Sequence, residues 1–187
     1  KSDPDNKYFF VIDEINRGNL SKIFGELMML IEADKRGPNN QIALTYSKKE
    51  ERFYVPKNVH IIGTMNTADR SLSIVDYALR RRFSFINLVP NFNDKFKTFL
   101  IEKGISKKTV SSIISKISSL NEEIESDDSL GDGFKIGHSY FCNTPETSID
   151  EKEWLSDIMN FEISPILNEY WFDNKDKAES LIENLNS

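Results

Sequence analysis

Several features common in proteins of this length are scarce or missing. The 187 residues include one cysteine, Cys142, so no internal disulfide can form, and a reducing cytoplasm is the simplest setting. No apolar run approaches the roughly 18 residues of a membrane span, so no membrane role is expected. Basic residues are outnumbered, with 24 Lys and Arg against 30 Asp and Glu. That charge balance argues against a surface specialised for nucleic-acid binding.

Three short apolar runs in the first half of the chain have the composition of buried strands. They are Tyr8–Ile12, Val59–Thr64 and Phe83–Leu88. Helical patterns separate them. Alternating strands and helices predict a parallel α/β sheet.

The segments between these strands predict two helices and a hairpin. Asn19 can cap a helix whose apolar positions recur at steps of three and four until Gly37-Pro38 ends it. Residues 42–46 and 52–55 flank a charged tip and predict the hairpin. Residues 74–79 predict a short second helix.

From Pro90 onward the pattern contains helical stripes only, interrupted by an acidic loop over 125–133 and a non-helical segment over 134–141. We therefore expect two domains. Residues 1–89 would form half of an α/β core, and residues 90–187 an all-α domain.

A carboxylate pair, Asp13 and Glu14, follows the first predicted strand directly. In open parallel sheets, ligands bind beyond the carboxyl ends of the strands. There Asp13 could hold Mg²⁺ while Glu14 polarises an attacking water. The alternative is an acidic turn that caps the next helix.

A polar segment follows the second predicted strand and contains Asn66, Asp69 and Ser71. The Asn66 amide can donate to a phosphate oxygen and orient a lytic water. Asp69 and Ser71 fit equally well as turn and N-cap residues of the next helix. We favour a functional role for Asn66 and a structural one for Ser71, and both interpretations of Asp69 stay open.

Three consecutive arginines, Arg80, Arg81 and Arg82, end the short helix. Cations there offset the helix dipole, for about 0.3–1 kcal/mol each. An arginine that reaches a neighbouring subunit's γ-phosphate would instead stabilise charge in the transition state. Taken alone, the arginines favour the structural interpretation.

Together the three sites occur in the order found in AAA+ domains. Residues 11–19 with 22–27 resemble the Walker B region of McrB-type GTPases, the motor subunits of modification-dependent (5-methylcytosine-specific) restriction systems. Residues 63–71 and 75–85 resemble that family's sensor 1 and arginine-finger segments, and residues 136–141 resemble its lid motif. The implied fold is the second half of a P-loop AAA+ sheet, with the Walker B and sensor 1 strands, followed by an all-α lid.

The resemblance also implies roles for individual residues. Asp13 would be the Mg²⁺ residue, Glu14 the catalytic base and Asn66 sensor 1. Arg81 and Arg82 would act on nucleotide, in trans or in cis. Nucleotide-binding candidates beyond these are Asp69, Arg80, His138 and Ser139. For His138, a hydrogen-bonded structural histidine between aromatic neighbours is a nearly equal alternative.

The family's cofactors and partners enter in the same way. The resemblance implies GTP with Mg²⁺, and ATP is the alternative because nothing in these residues selects a base. It also implies a homo-oligomeric ring, expected to be a hexamer, and a separate McrC-like nuclease subunit. DNA would be recognised by an N-terminal domain outside these residues.

One family element is not found, because no G-x-x-x-x-G-K-[ST] phosphate-binding loop occurs in the sequence. We expect that loop and its strand to precede residue 1, with the strand lying between those that end at Thr64 and Leu88. Without it, residues 83–88 lack a neighbour, and a rearranged or self-paired sheet is expected. This chain alone should bind nucleotide weakly or not at all.

Three other interpretations compete. The chain could belong to an ATP-using remodeller of the MoxR or dynein-related type, which shares the strand-Asp-Glu arrangement. It could be a non-catalytic interaction module that keeps these residues as scaffold. The triplet Asp150-Glu151-Lys152 has the spelling of a nuclease motif, but it lies beside a helical stripe, so we disfavour that interpretation.

Overall fold

The computed structural model describes residues 3–47, 51–66, 68, 80–144 and 150–186. The chain divides into two units, residues 1–86 and 87–187. Among the described residues, none of the helices has the length and apolar character needed to cross a membrane.

Two parallel strands form the centre of the first unit. β1 (Tyr8–Ile12) pairs with β4 (Val59–Gly63), in a register that runs from Tyr8 opposite Val59 to Ile12 opposite Gly63. This pairing confirms the first two predicted strands. The segments that follow them therefore begin side by side at the same edge of the sheet.

These strands are less buried than their composition predicts. Phe9, Phe10 and Val11 are 61%, 58% and 60% exposed. The sheet has two strands in the described part of the chain, and Ile61 of β4 packs into the small apolar cluster around Leu20 and Ile31. Apolar side chains on both faces of β1 consequently find few partners.

A short hairpin separates β1 from β4 in the sequence. β2 (Ile42–Ala43) and β3 (Arg52–Phe53) pair antiparallel, with Ile42 opposite Phe53. The hairpin prediction is confirmed, although each strand is only two residues long. Just beyond β2, the backbone N–H and the hydroxyl of Thr45 donate to the Glu26 carboxylate at 2.9 and 3.0 Å.

The helix predicted to continue to residue 36 is much shorter in the structure. α1 (Leu20–Phe24) begins at Asn19, whose side chain accepts from the Lys22 N–H at 2.9 Å. It ends at Gly25, which has φ 46° and ψ −123°, a conformation that favours glycine. The prediction of one long helix is wrong because Gly25 turns the backbone out of the helical path.

Short 3₁₀ turns replace the rest of that helix, at Gly25–Met29, Ala33–Lys35 and Pro38–Asn40. Of the apolar positions that predicted the helix, Leu20, Leu30 and Ile31 are buried, whereas Ile23 is 65% exposed, so periodicity located only part of the buried face. The resulting small core contains Leu20, Ile31, Ile15, Phe24, Met28, Ile61 and Phe83.

The third predicted strand, residues 83–88, does not form, so this prediction is wrong. Ile86 and Leu88 are 84% and 92% exposed. An isolated strand gains no ladder hydrogen bonds, and no described strand lies beside this segment. The helix predicted at 74–79 lies outside the described residues. Arg80 is helical, and Arg81 and Arg82 follow in a turn.

The second unit is helical, as the apolar stripes predicted. Its elements are α2 (Asp94–Glu102), α3 (Lys107–Ser126), α4 (Glu151–Asp157), a π-helix (Ile158–Ile163), α5 (Ser164–Tyr170) and α6 (Lys175–Asn186). The segment predicted as non-helical contains a 3₁₀ turn at His138–Phe141, and another at Asp132–Phe134 overlaps its start. α3 contributes the largest set of fully buried side chains, which are Val110, Ile113, Ile117 and Ile124.

The triplet Asp150-Glu151-Lys152 is used to join helices. The Asp150 side chain caps α4 by accepting from the Lys152 N–H at 2.9 Å. The Glu151 carboxylate accepts from the Thr109 hydroxyl at 2.6 Å and from the Ser106 N–H at 2.9 Å, which caps the start of α3. These bonds lower the pKa of Glu151. A structural role thus accounts for both carboxylates.

A polar cluster at the end of α3 connects that helix to α5 and α6. Lys177 Nζ and Trp171 Nε1 each donate to Asp127 Oδ2 at 2.7 Å. The Lys177 ammonium also lies 4.8 Å from the centre of the Trp171 ring. Hydrogen bonds from Lys177, Ser129 and Trp171 hold the pKa of Asp127 well below its ordinary value.

Replacing Asp127 by Asn should therefore destabilise the second unit at neutral pH by about 1–3 kcal/mol, the usual cost of disrupting such a hydrogen-bonded charge. The pKa is lowered on folding, so the stabilisation is present above the ordinary Asp pKa of 3.8 and is lost as the pH falls below it. Urea unfolding at pH 7 and pH 3 measures both effects. Asp132→Asn is the control, since the Asp132 side chain is 65% exposed and a solvated carboxylate contributes little through its ion pair. Equal losses for the two variants would contradict this interpretation.

Candidate functional site

The predicted carboxylate pair lies where β1 ends, beside the end of β4. The Thr64 hydroxyl donates to Asp13 Oδ1, and the Glu14 backbone N–H donates to Thr64 Oγ1 at 3.2 Å. Parallel register explains the contact, because Asp13 and Thr64 each follow a paired strand by one residue. The Asp13 carboxylate and the Glu14 backbone N–H thus meet at one hydroxyl group.

Glu14 has an unusual backbone conformation. Its φ of 49° and ψ of 48° lie in the left-handed region, and it is the one non-glycine residue with positive φ among those the structure describes. Such conformations are uncommon outside glycine and persist where surrounding contacts enforce them. Its side chain forms an ion pair with Arg17, one turn along the 3₁₀ helix Ile15–Arg17, and about half of each side chain is exposed.

Asn66 approaches the same region through its backbone. Its carbonyl accepts from Asn16 Nδ2 at 3.4 Å, while its own side-chain Oδ1 accepts from the Ala68 N–H at 3.0 Å. Asn16 is 8% exposed, and its Oδ1 is buried without a hydrogen-bond partner among the described atoms. A buried acceptor without a partner costs about 1–3 kcal/mol, and such groups are found where a site receives a ligand or water.

The carboxylate at the end of β1 is of the kind by which nucleotide-hydrolysing enzymes bind Mg²⁺. The described residues contain no group of three or more His, Cys, Asp or Glu side chains that could hold a metal alone. Mg²⁺ at phosphate sites is typically held by one or two carboxylates together with substrate phosphates and waters. The hard carboxylate oxygens of Asp13 fit that pattern.

The predicted arginines have different surroundings. Arg80 and Arg81 are exposed. Arg82 is mostly buried, with 14% of its side chain accessible, and its Nη2 lies 2.7 Å from Glu32 Oε1. Asp69, the other nucleotide-binding candidate of this region, lies outside the described residues. The roles of these four residues toward nucleotide stay predictions.

In the second unit, the surroundings of His138 are those expected of a hydrogen-bonded structural histidine between aromatic side chains. Its Nδ1 accepts from the Asn91 N–H at 3.1 Å. Phe92 and Phe96 contact its ring edge to face, with centroids 6.2 and 6.1 Å away. Ser139 is exposed. Contact of either residue with nucleotide stays a prediction.

Sequence reasoning assigned no role to three residues that organise these segments. Thr64 and Asn16 were noted only as members of motifs. Asn121 is buried in α3 and forms two hydrogen bonds with the Ile136 backbone, at 2.7 and 3.0 Å, which fix the segment leading to His138. For Thr64 the sequence held no clear signal, because its contact with Asp13 follows from the strand register. A polar residue in an apolar stripe was the signal for Asn121.

Comparison with protein families gives the class of the first unit. Residues 4–83 match the family model of the AAA domain, dynein-related subfamily. Residues 112–179, within the second unit, match that of the McrB α-helical lid domain. An AAA segment followed by this lid is the arrangement that the motifs predicted.

The chain belongs to the McrB family. It is 54% identical over 183 residues to the type IV methyl-directed restriction enzyme EcoKMcrB subunit of Escherichia coli K12, across 96% of this chain and 40% of that protein. It is 32% identical over 89 residues to the type II restriction enzyme BsuMI component YdiS of Bacillus subtilis 168, across 42% of this chain and 26% of that protein. The chain thus spans less than half the length of either relative.

The close approach of Gly63 to Ile15 yields a stability prediction. A Cβ at Gly63 would lie 2.7 Å from Ile15 Cδ1 and 3.3 Å from Ile15 Cβ, so the residue after Glu14 would have to shift. We expect Gly63→Ala to destabilise the first unit by about 1–3 kcal/mol, as overpacking usually does.

Gly18→Ala is the matched control for this substitution. Its Cβ would come within 3 Å of only the terminal Cδ1 of Ile23, at 2.5 Å, which a rotamer change can relieve. Thermal unfolding of both variants measures how much stability each substitution removes. Equal stability of the Gly63 variant and the unmodified chain would show that the strand end tolerates this displacement.

Proposed function

We propose that this chain is part of a nucleotide-hydrolysing AAA subunit of a modification-dependent restriction system, with GTP and Mg²⁺ as its substrate complex. The observation that carries the proposal is that one hydroxyl, at neighbouring strand ends, bonds both the Asp13 carboxylate and the Glu14 backbone N–H. The family membership supports it, since the E. coli relative is by name a subunit of a methyl-directed restriction enzyme.

In this proposal Asp13 holds Mg²⁺ and Glu14 acts as general base. Bound Mg²⁺ would neutralise charge on the phosphates. The Glu14 carboxylate would accept the proton of the attacking water, and its ion pair with Arg17 restricts where the carboxylate can lie. Asn66 would orient that water through its Nδ2, since its Oδ1 accepts from the Ala68 N–H.

The arginines and the lid would complete the site. Arg81 is the better candidate to act on a neighbouring subunit's nucleotide, because it is exposed while Arg82 pairs with Glu32. Arg80 is also exposed. Asp69, His138 and Ser139 would contribute to nucleotide binding.

The remaining parts of the proposal concern the complete protein. It would assemble as a homo-oligomeric ring, with six subunits as our expectation, in the cytoplasm. It would act with a McrC-like nuclease subunit and reach DNA through a separate domain. The 187 residues contain no phosphate-binding loop, so this chain alone should bind nucleotide weakly and hydrolyse none at a useful rate.

A second function is favoured by one observation. Residues 4–83 match the dynein-related subfamily of AAA domains, which is compatible with an ATP-dependent remodelling enzyme. The two candidates share the roles of Asp13 and Glu14 and differ in the nucleotide consumed.

Glu14→Gln in the complete subunit tests the proposal. It preserves size and removes the proton acceptor, so phosphate release from Mg·GTP should fall by about 10²–10⁴-fold. Asp34→Asn is the control, since Asp34 is an exposed carboxylate of the same unit, outside the motif segments, that pairs with Lys35.

Assays with Mg·ATP separate the candidates. A preference for GTP supports the restriction motor, and a preference for ATP supports the remodelling enzyme. If Glu14→Gln leaves the rate of hydrolysis unchanged, both candidate functions are contradicted, and the interpretation of the chain as a non-catalytic interaction module is favoured.

A further inference from the structure

One residue contacts the whole turn that carries the two carboxylates. The Thr64 N–H donates to the Ile12 carbonyl at 3.0 Å, and its carbonyl accepts from the Ile15 N–H at 2.8 Å. Between these backbone bonds, the Thr64 hydroxyl donates to Asp13 and accepts from the Glu14 N–H. Four consecutive residues are therefore held by the backbone and side chain of a single threonine.

We propose that Thr64 is a positioning residue for nucleotide hydrolysis, an inference that rests on the function proposed above. A hydroxyl has one proton to donate and lone pairs with which to accept. An ionised carboxylate can only accept and a backbone N–H can only donate, so the direction of both hydrogen bonds is fixed. Thr64 thereby couples the orientation of the Asp13 carboxylate to the backbone conformation of Glu14.

The Glu14 backbone explains why such coupling is needed. A non-glycine residue in the left-handed region costs of order 1–3 kcal/mol and requires contacts that hold it there. The Glu14 N–H bond to Thr64 is one such contact, and the Ile15 N–H bond to the Thr64 carbonyl is the next. Without the hydroxyl, Glu14 could relax, and its carboxylate would move relative to Asp13.

The substitutions Thr64→Val and Thr64→Ser distinguish the effect of the side-chain shape from the effect of the hydroxyl group. Valine keeps the branched side chain, but it leaves the Glu14 N–H without its acceptor and Asp13 without its donor. Serine keeps the hydroxyl and loses a methyl group. Thr64→Ala removes the same hydroxyl with less bulk, and it replaces the valine variant if that variant does not fold.

The experiment measures phosphate release by the complete subunit with Mg·GTP, and with Mg·ATP in parallel, at varied Mg²⁺. Misplacement of a catalytic group by about 1 Å can cost up to 10²-fold in rate. We expect Thr64→Val to lower kcat by roughly 10- to 100-fold and to raise the Mg²⁺ concentration for half-maximal rate. KM for nucleotide should change little, and Thr64→Ser should restore most of kcat.

Thr45→Val is the matched control, because the Thr45 hydroxyl also donates to a carboxylate of the same unit, that of Glu26, beyond β2 rather than at the ends of β1 and β4. Its kcat and its Mg²⁺ dependence should match those of the unmodified subunit. Melting temperatures of all variants are measured alongside, so that a loss of rate is compared only between folded proteins.

The outcomes distinguish this inference from the proposed function. If Glu14→Gln abolishes hydrolysis while Thr64→Val keeps normal kcat and Mg²⁺ dependence, the positioning role is overturned and the proposed function stands. If Thr64→Ser fails to restore kcat, the hydroxyl is not the required group and the role is again overturned. If Glu14→Gln leaves the rate of hydrolysis unchanged, the proposed function itself fails.

Discussion

The parallel pairing of β1 with β4 is the constraint on which the site depends. Parallel strands end at the same edge of a sheet, and the register places Asp13 and Thr64 one residue beyond the last pair, Ile12 and Gly63. A slip of one residue would turn the side chains to the opposite face. The hydroxyl would then no longer reach Asp13, and the turn that holds Glu14 would lose its partner.

The second unit is stabilised differently, by a conventional helical core and by polar groups that cap and join its helices. Glu151 caps the start of α3, Asp127 connects the end of α3 to Trp171 and Lys177, and Asn121 fixes Ile136. Each polar group is satisfied by neighbours within the unit. In the first unit, by contrast, Asn16 keeps a buried oxygen without a partner among the described atoms, and Glu14 keeps a costly backbone conformation. Both features fall within the segment for which the motifs predicted chemistry.

Much of this was predictable from local patterns, and the failures have physical causes. Periodicity gave the helices of the second unit, and short β-rich runs gave β1 and β4. The long helix after Asn19 was wrong because a positive φ at Gly25 cannot be seen in an apolar stripe. The strand at 83–88 was wrong because strand formation depends on a neighbour rather than on composition. The motif pattern predicted Asp13, Glu14 and Asn66 as candidate site residues, but the bridging role of Thr64 required the register.

The central claim is that the end of β1, organised by Thr64, holds the metal of a nucleotide complex. Its most direct test is an anomalous difference map from crystals of the complete subunit with Mn²⁺ in place of Mg²⁺ and a non-hydrolysable GTP analogue. We predict a Mn²⁺ peak beside the Asp13 carboxylate, with the Thr64 hydroxyl still bonded to Asp13 and Glu14 facing the terminal phosphate. A peak held by other residues, with Asp13 and Glu14 directed away from it, would contradict the claim.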